Sequence, residues 1–213
     1  MTTPARSRQR GPYARSAERR EAIAAAVLEI VVEKGHRGVT TAEVAERAGA
    51  REPTVLYHFP SKDHLLVAAL RRSDEEQAEA DDGGDSDAGL PERLRAFADS
   101  VTRRAGVLRL YAALAGEATT PGHPAQEYFA QRYAATVARH ARMIERRQEA
   151  GLAPPGLDPV QVARQFLATW DGLQLQWLAD PSFDLGEVLV AAFRRLTGED
   201  RREARASLTE TES

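Results

Sequence analysis

No cysteine occurs in the 213 residues, which excludes disulfides, thiolate nucleophiles and thiolate-bound metals. No run approaches the ~20 consecutive apolar residues that a membrane span needs, and no hydrophobic segment near the start has the form of a secretory signal. A soluble, cytoplasmic protein with no membrane partner is expected. Catalytic signatures are missing too: there is no nucleophile elbow, Gly-rich phosphate loop or zinc-protease motif. Asp171 and Glu117 could be imagined as an acid/base pair, but no spacing joins them. The five histidines, His36, His58, His64, His123 and His140, show none of the i, i+4 pairing of a helical metal site. The expectation is a non-enzyme with no catalytic residue, metal or cofactor.

Apolar content and an uneven charge are what the chain does have. Hydrophobic residues make up 42%, enough for one large core or two small ones. The net charge of -3 hides an asymmetry. Residues 1–66 carry 11 Lys or Arg against 8 Asp or Glu, net +3, and residues 67–213 carry 18 against 24, net -6. A basic N-terminal part is the electrostatic footprint of a surface that meets phosphate. Within it, residues 1–15 hold Arg6, Arg8, Arg10 and Arg15 and no acid. They read as a flexible basic arm, either a solvated tail or a segment lying along DNA with an arginine in the minor groove. Residues 74–89 hold eight acids and no base. Their second half reads as a mobile loop, because Gly83-Gly84 and the like-charge run both oppose packing. They lack the spacing of a calcium loop.

The most informative stretch runs from Thr40 to Lys62, TTAEVAERAGAREPTVLYHFPSK. Thr40 has the form of an N-cap, and Glu43 three residues later completes a capping box. Val44, Ala45 and Ala48 then mark an apolar helical face. Gly49 ends that helix, since glycine takes a left-handed conformation without strain. A second short helix begins near Glu52 and Pro53, where a proline fits the first turn. Val55, with Leu56 or Phe59, faces inward, and Thr54, Tyr57 and His58 point elsewhere. Pro60 stops the helix. Ala45 and Gly49 suit two helices crossing through a tight turn, as in a helix-turn-helix, although a plain helical corner shares some of this pattern.

Over Arg19–Leu66 the chain resembles the DNA-binding domain of the TetR family of bacterial transcription regulators. The matching residues are Ile23 and Ala26, then Gly35, Thr40-Thr41, Val44-Ala45 and Ala48-Gly49. They continue through Pro53-Thr54, His58-Phe59 and Ser61-Lys62 to Leu65. The chain departs from the family pattern at Leu56, where a phosphate-contacting tyrosine is usual and the tyrosine comes one residue later, as Tyr57. Arg51 replaces a common small polar residue. The resemblance implies an all-α protein with a three-helix helix-turn-helix domain and a C-terminal helical bundle for dimerisation and ligand binding. Its DNA-binding candidates are Thr40, Thr41, Arg51, Glu52, Pro53, Thr54, Tyr57, His58 and Lys62. Arg51, Thr54 and Tyr57 are read as base or groove contacts, and Thr40, His58 and Lys62 as phosphate contacts.

In chain order, Ser16–Lys34 reads as a helix with Ile23, Val27, Ile30 and Val31 on one stripe, and Ser61 to about Ala80 as another. The DNA-binding domain is placed at 16–66, an effector-binding and dimerisation domain at 67–198, and a polar tail at 199–213. Helices are expected from Pro91, with a break at Gly106, from Ala125 to about Ala150, from Pro159 to about Ala179, and after Asp184. The Pro159 helix is apolar on two sides, with Val162, Phe166, Leu173 and Trp177 on one stripe and Ala163, Leu167, Trp170, Gln174 and Leu178 on the other. Both sides must be buried. One partner would be a second copy, through Val162, Leu173, Trp177, Val188, Ala192 and Phe193, in a four-helix interface. A pocket for a small-molecule effector is expected among Phe97, Tyr111, His123, Phe129, Tyr133, Phe166, Trp170 and Gln174, although ordinary core packing would use the same aromatics. Family resemblance thus points to a homodimeric repressor on a palindromic double-stranded DNA operator, released by a small molecule. A DNA-binding protein without a ligand, acting constitutively or as an activator, and a helical dimer that binds a protein partner, are the other readings.

Overall fold

The computed structural model describes residues 12–80 and 89–200, and every regular element among them is helical. The chain divides at 80/81 into two compact units. Residues 1–11 of the expected arm, residues 81–88 of the expected acidic loop and residues 201–213 of the expected tail lie outside the described residues.

The first unit contains α1 (Pro12–Lys34), a 3-10 turn (His36–Gly38), α2 (Thr41–Arg47), α3 (Glu52–His58) and α4 (Lys62–Ala80). Helix α1 begins at Pro12 rather than Ser16. A proline is tolerated there because a first-turn N–H has no intrahelical acceptor. Ile23, Val27, Ile30 and Val31 are all fully buried. They form the stripe that α1 turns toward α4, whose Leu65, Leu66, Ala69 and Leu70 are buried in return. Val44 supplies the inward face of α2, and Val55 and Phe59 that of α3 and its end. Because α4 packs along α1, the unit runs to Ala80 and does not stop at 66.

The second unit contains α5 (Leu90–Arg103), α6 (Ala105–Glu117), α7 (Pro124–Glu149), α8 (Pro159–Ala179) and α9 (Leu185–Thr197). Asp158 caps α8 by accepting from the N–H groups of Val160 and Gln161, and Asp184 caps α9 by accepting from Glu187. Both caps are legible as aspartate ahead of an apolar run. The break between α5 and α6 falls at Arg104, with φ -107° and ψ 43°, so Gly106 lies inside α6 instead of ending α5. At Gly186, an added Cβ would lie 3.1 Å from the Arg95 Cα. That close approach brings α9 onto α5, where Arg95 Nε donates to Glu187 Oε1 at 2.6 Å.

Helix α8 is the centre of this unit, packed by α6, α7 and α9. Val162, Phe166 and Leu173 on one stripe, and Ala163, Leu167, Trp170 and Gln174 on the other, are all buried within the single chain. Both apolar sides therefore find partners in the same chain. Val162, Leu173 and Phe193, expected at a dimer interface, lie in the unit's own core, together with Ile144 and Leu189. Trp177 and Ala192 are half-buried, and Val188 is exposed.

Burial contrasts within α1 give a direct stability test. Ile30 is fully buried and Val32 is 48% exposed. Ile30→Ala is expected to destabilise the fold by about 2–5 kcal/mol in chemical denaturation, and Val32→Ala by no more than ~0.5 kcal/mol.

Candidate nucleic-acid interface and a polar cluster

Helices α2 and α3 are seven residues each, too short to persist without tertiary support. Thr40 caps α2 by accepting from the Glu43 N–H at 3.3 Å. The carboxylate of Glu43 takes a role that a local capping box does not anticipate. It accepts from Lys34 Nζ at 2.6 Å and from Arg47 Nη2 at 2.9 Å, and Arg47 also grips Glu33 at 2.8 and 2.6 Å. Lys34 first, then Arg47, holds the Glu43 carboxyl below its ordinary range, and Arg47 does the same for Glu33. This ion-pair net ties the end of α1 to α2. The turn then passes Gly49 at φ +57°, a conformation that glycine adopts without strain.

Two arginines of α1 fasten the other side of the motif. Arg19 Nη1 donates to the carbonyls of Ala48 and Gly49, at 3.1 and 3.2 Å. These acceptors lie at the C-terminal end of α2, where carbonyls lack intrahelical donors. Arg20 Nη1 donates to the His58 carbonyl at 3.3 Å, and its guanidinium lies 4.8 Å from the Phe59 ring centroid. The turn and the far end of α3 are thus both anchored to α1. Sequence reasoning missed Arg19 and Arg20 as positioning residues. Their signal was two adjacent arginines just before the α1 stripe, which on sequence grounds is indistinguishable from ordinary surface charge.

With its inward face occupied, α3 presents the rest to solvent. Arg51, Glu52 and Pro53 are exposed, Thr54 is half-buried, and Tyr57 is 83% exposed. The inward partner of Val55 is Phe59, at 4% exposure; Leu56, at 47%, points outward. Thr40 is exposed and Thr41 half-buried beside this face. His58 is half-buried, with its ring edge-on to Tyr57 at 5.2 Å. Burial, then Arg20 and Arg19, lowers its pKa, so the imidazole is neutral at neutral pH. Lys62 is exposed at the start of α4, its Nζ donating to the Arg37 carbonyl at 3.1 Å.

The second unit holds a polar cluster inside its helices. The Tyr111 hydroxyl donates to Asp171 Oδ1 at 3.0 Å and lies 3.5 Å from the Tyr133 hydroxyl. Arg132 Nη1 donates to the Tyr111 oxygen at 3.5 Å, with its guanidinium 4.8 Å from the Tyr111 ring centroid. Gln174 Nε2 reaches Asp171 Oδ1 and the Trp170 carbonyl, each at 3.3 Å. Phe129 packs against Tyr111 and Tyr133, with centroids 5.1 and 5.7 Å away. Burial raises the Asp171 pKa, against the opposing pull of Tyr111, Tyr133, Arg132 and Gln174. Burial also raises that of Tyr111, which stays a neutral donor.

Of the eight residues expected to line a pocket, Tyr111, Phe129, Tyr133 and Gln174 meet here. Phe97 pairs with Trp170 at 5.0 Å, and Phe166 packs between His140 and Phe193 at 5.5 and 5.3 Å. His123 is a helix cap, its Nδ1 accepting from the Ala125 N–H at 3.1 Å at the start of α7. A separate cleft of about 180 Å³ is lined by Leu90, Leu94, Arg147, Val190, Phe193 and neighbours, and by none of the eight. Arg132 was missed, and Asp171 was weighed only with Glu117 and not as part of this cluster. The signal for Asp171 was its place three residues before Gln174 on an apolar helix.

An α1-supported pair of short helices with an exposed second helix defines a helix-turn-helix protein. The family model described as "Bacterial regulatory proteins, tetR family" matches residues 23–69. Residues 23–69 thus carry a TetR-type DNA-binding domain. It is 36% identical over 69 residues to the HTH-type transcriptional activator FasR of Mycolicibacterium smegmatis, which is 32% of this chain and 32% of FasR. It is 47% identical over 55 residues to the HTH-type transcriptional repressor KstR of the same organism, 26% of this chain and 27% of KstR. The chain thus matches under a third of the length of these curated relatives. Over most of the chain it is similar to the crystal structure of a transcriptional regulator from Rhodococcus sp. Rha1, with TM-score 0.61, 27% identity, and coverage of 84% of this chain and 94% of that one.

Two outcomes follow from the geometry. Arg19→Met removes both hydrogen bonds to the turn and is expected to cost about 1–2 kcal/mol, with faster amide hydrogen exchange at Ala48–Ala50. For Asp171, a folded-state pKa raised above the ordinary 3.8 means that the folded state holds its proton more tightly. That contribution is present in acid and is lost as pH rises through the folded pKa. The stability of the wild type minus that of Asp171→Asn, from urea titrations, should therefore decline as pH rises above the ordinary aspartate range.

Proposed function

We propose that the protein is a DNA-binding transcriptional regulator that occupies a palindromic operator as a homodimer and is released by a small-molecule effector. The observation that carries this reading is α3, whose inward face is locked by Val55 and Phe59 while Tyr57, Leu56 and Pro53 stand open to solvent. A rigidly held helix with an unoccupied outer face suits insertion into the major groove. Arg51, Thr54 and Tyr57 then meet bases or groove walls. Thr40, Thr41, His58 and Lys62 stand at the flanks, where phosphates run.

Dimerisation is assigned to the outward faces of α8 and α9, which keep Trp177, Val188 and Ala192 of the expected set. Ala168, Leu175 and Ala179 are exposed and Gly172 half-buried on one α8 stripe, and Val188 and Ala191 are exposed on α9. Together with Trp177 and Ala192 they offer a small-residue, apolar face that suits close helix packing. A two-fold dimer presents two copies of α3 and so calls for an operator with two-fold symmetry. No described helix is long and apolar enough to cross a membrane, in keeping with work on DNA inside the cell.

The effector is assigned to the cluster around Tyr111, Tyr133, Asp171 and Gln174. Buried donors and acceptors that now satisfy one another can exchange partners with a ligand of matching polarity, and Phe129 supplies an apolar wall. Release requires the ligand to bind the DNA-incompetent state more tightly than the DNA-bound one. Repression is proposed because operator occupancy alone can block transcription.

Selection of bound sequences from a random DNA pool, at fixed salt, tests the reading. Enrichment of a palindrome with half-sites about one helical turn apart is the expected result. A folded protein that enriches no sequence would sink it.

A further inference from the structure

We propose that Leu56 reads the 5-methyl group of a thymine in each operator half-site. The inference rests on the reading of α3 as the helix that enters the groove. It begins from what α3 contains: the residues Glu52–His58, EPTVLYH, include no Arg, Lys, Asn or Gln. The side chains that make bidentate contacts to guanine or adenine are therefore absent from the helix itself. Arg19 and Arg20 on α1 do not replace them, because their guanidinium groups hold backbone carbonyls of the turn and of His58.

The outward face of α3 has another chemistry. Leu56 is 47% exposed, although Val55 beside it is fully buried. Pro53, three residues earlier, shares its side of the helix and is exposed. A half-exposed leucine beside a proline makes an apolar ridge on a helix otherwise built to face water and phosphate. Among the edges that base pairs present in the major groove, the thymine methyl is the apolar one. Glu52, exposed in the first turn, complements this set as an acceptor for a cytosine amino group. Beside the contacts assigned to Arg51, Thr54 and Tyr57, discrimination by α3 therefore draws on methyl contact and acceptance.

The test is a chemical cycle on the selected operator. Thymines of the half-site are replaced one at a time by deoxyuridine, which removes only the methyl group, and affinity is measured for the wild type, Leu56→Ala and Leu56→Met. Because Leu56 is half-exposed, the variants should keep the fold, which a melting curve verifies. The expected result is one thymine position per half-site where uracil weakens the wild type about fourfold, the worth of one buried methyl group. Leu56→Met keeps the sensitivity, and Leu56→Ala binds the two operators alike. Wild-type indifference to every replacement, an operator without thymine in its half-sites, or full methyl sensitivity in Leu56→Ala would each overturn the proposal while leaving DNA binding intact. A pool that yields no operator overturns the DNA-binding reading and this proposal together.

Discussion

Two seven-residue helices do not hold their shape in water, because a helix nucleus is costly and each has barely two turns to repay it. The helix-turn-helix therefore depends on α1. Its stripe of Ile23, Val27, Ile30 and Val31 builds the core, and its polar edge anchors the motif. Arg19 and Arg20 satisfy carbonyls at the turn and at the end of α3, and Lys34 and Glu33 engage the charges of α2. Most of these bonds are solvent-exposed, and exposed pairs contribute little each. Their value is directional: several constraints from one helix leave α2 and α3 one way to sit.

The second unit solves a different problem with the same physics. Helix α8 is apolar on two sides, and an apolar side must be buried somewhere. Read alone, that pattern asks for a second chain. Instead α6, α7 and α9 surround α8 and bury both stripes. What α8 and α9 leave outward is smaller and milder: alanines, Gly172, Leu175 and Val188. A face of this kind lets helices approach closely without exposing large apolar area in the free chain.

Legibility from sequence followed the range of the interaction. Caps and breaks were readable because they act over three or four residues: Thr40, Asp158 and Asp184 each accept from N–H groups within that distance, and Pro60 forces an extended residue before it. The α1 stripe was readable because a helical period is local. The break at Arg104 was not, since no residue type there signals it. His123 illustrates the same limit: an imidazole in a turn can line a pocket or cap a helix, and only the direction of its Nδ1 separates the two.

By itself the sequence determined most of the helices, the caps at Thr40, Asp158 and Asp184, the helix-turn-helix and its resemblance to the TetR DNA-binding domain, because all of these rest on residue types at fixed short spacings. Only the tertiary structure decided which of two apolar faces turns inward, and so why Leu56 is outside while Phe59 is inside. It alone brought together Tyr111, Arg132 and Asp171, which come from three helices far apart in the chain. Periodicity gives each helix an angular pattern but no absolute orientation. That orientation is set by which neighbours arrive to bury it.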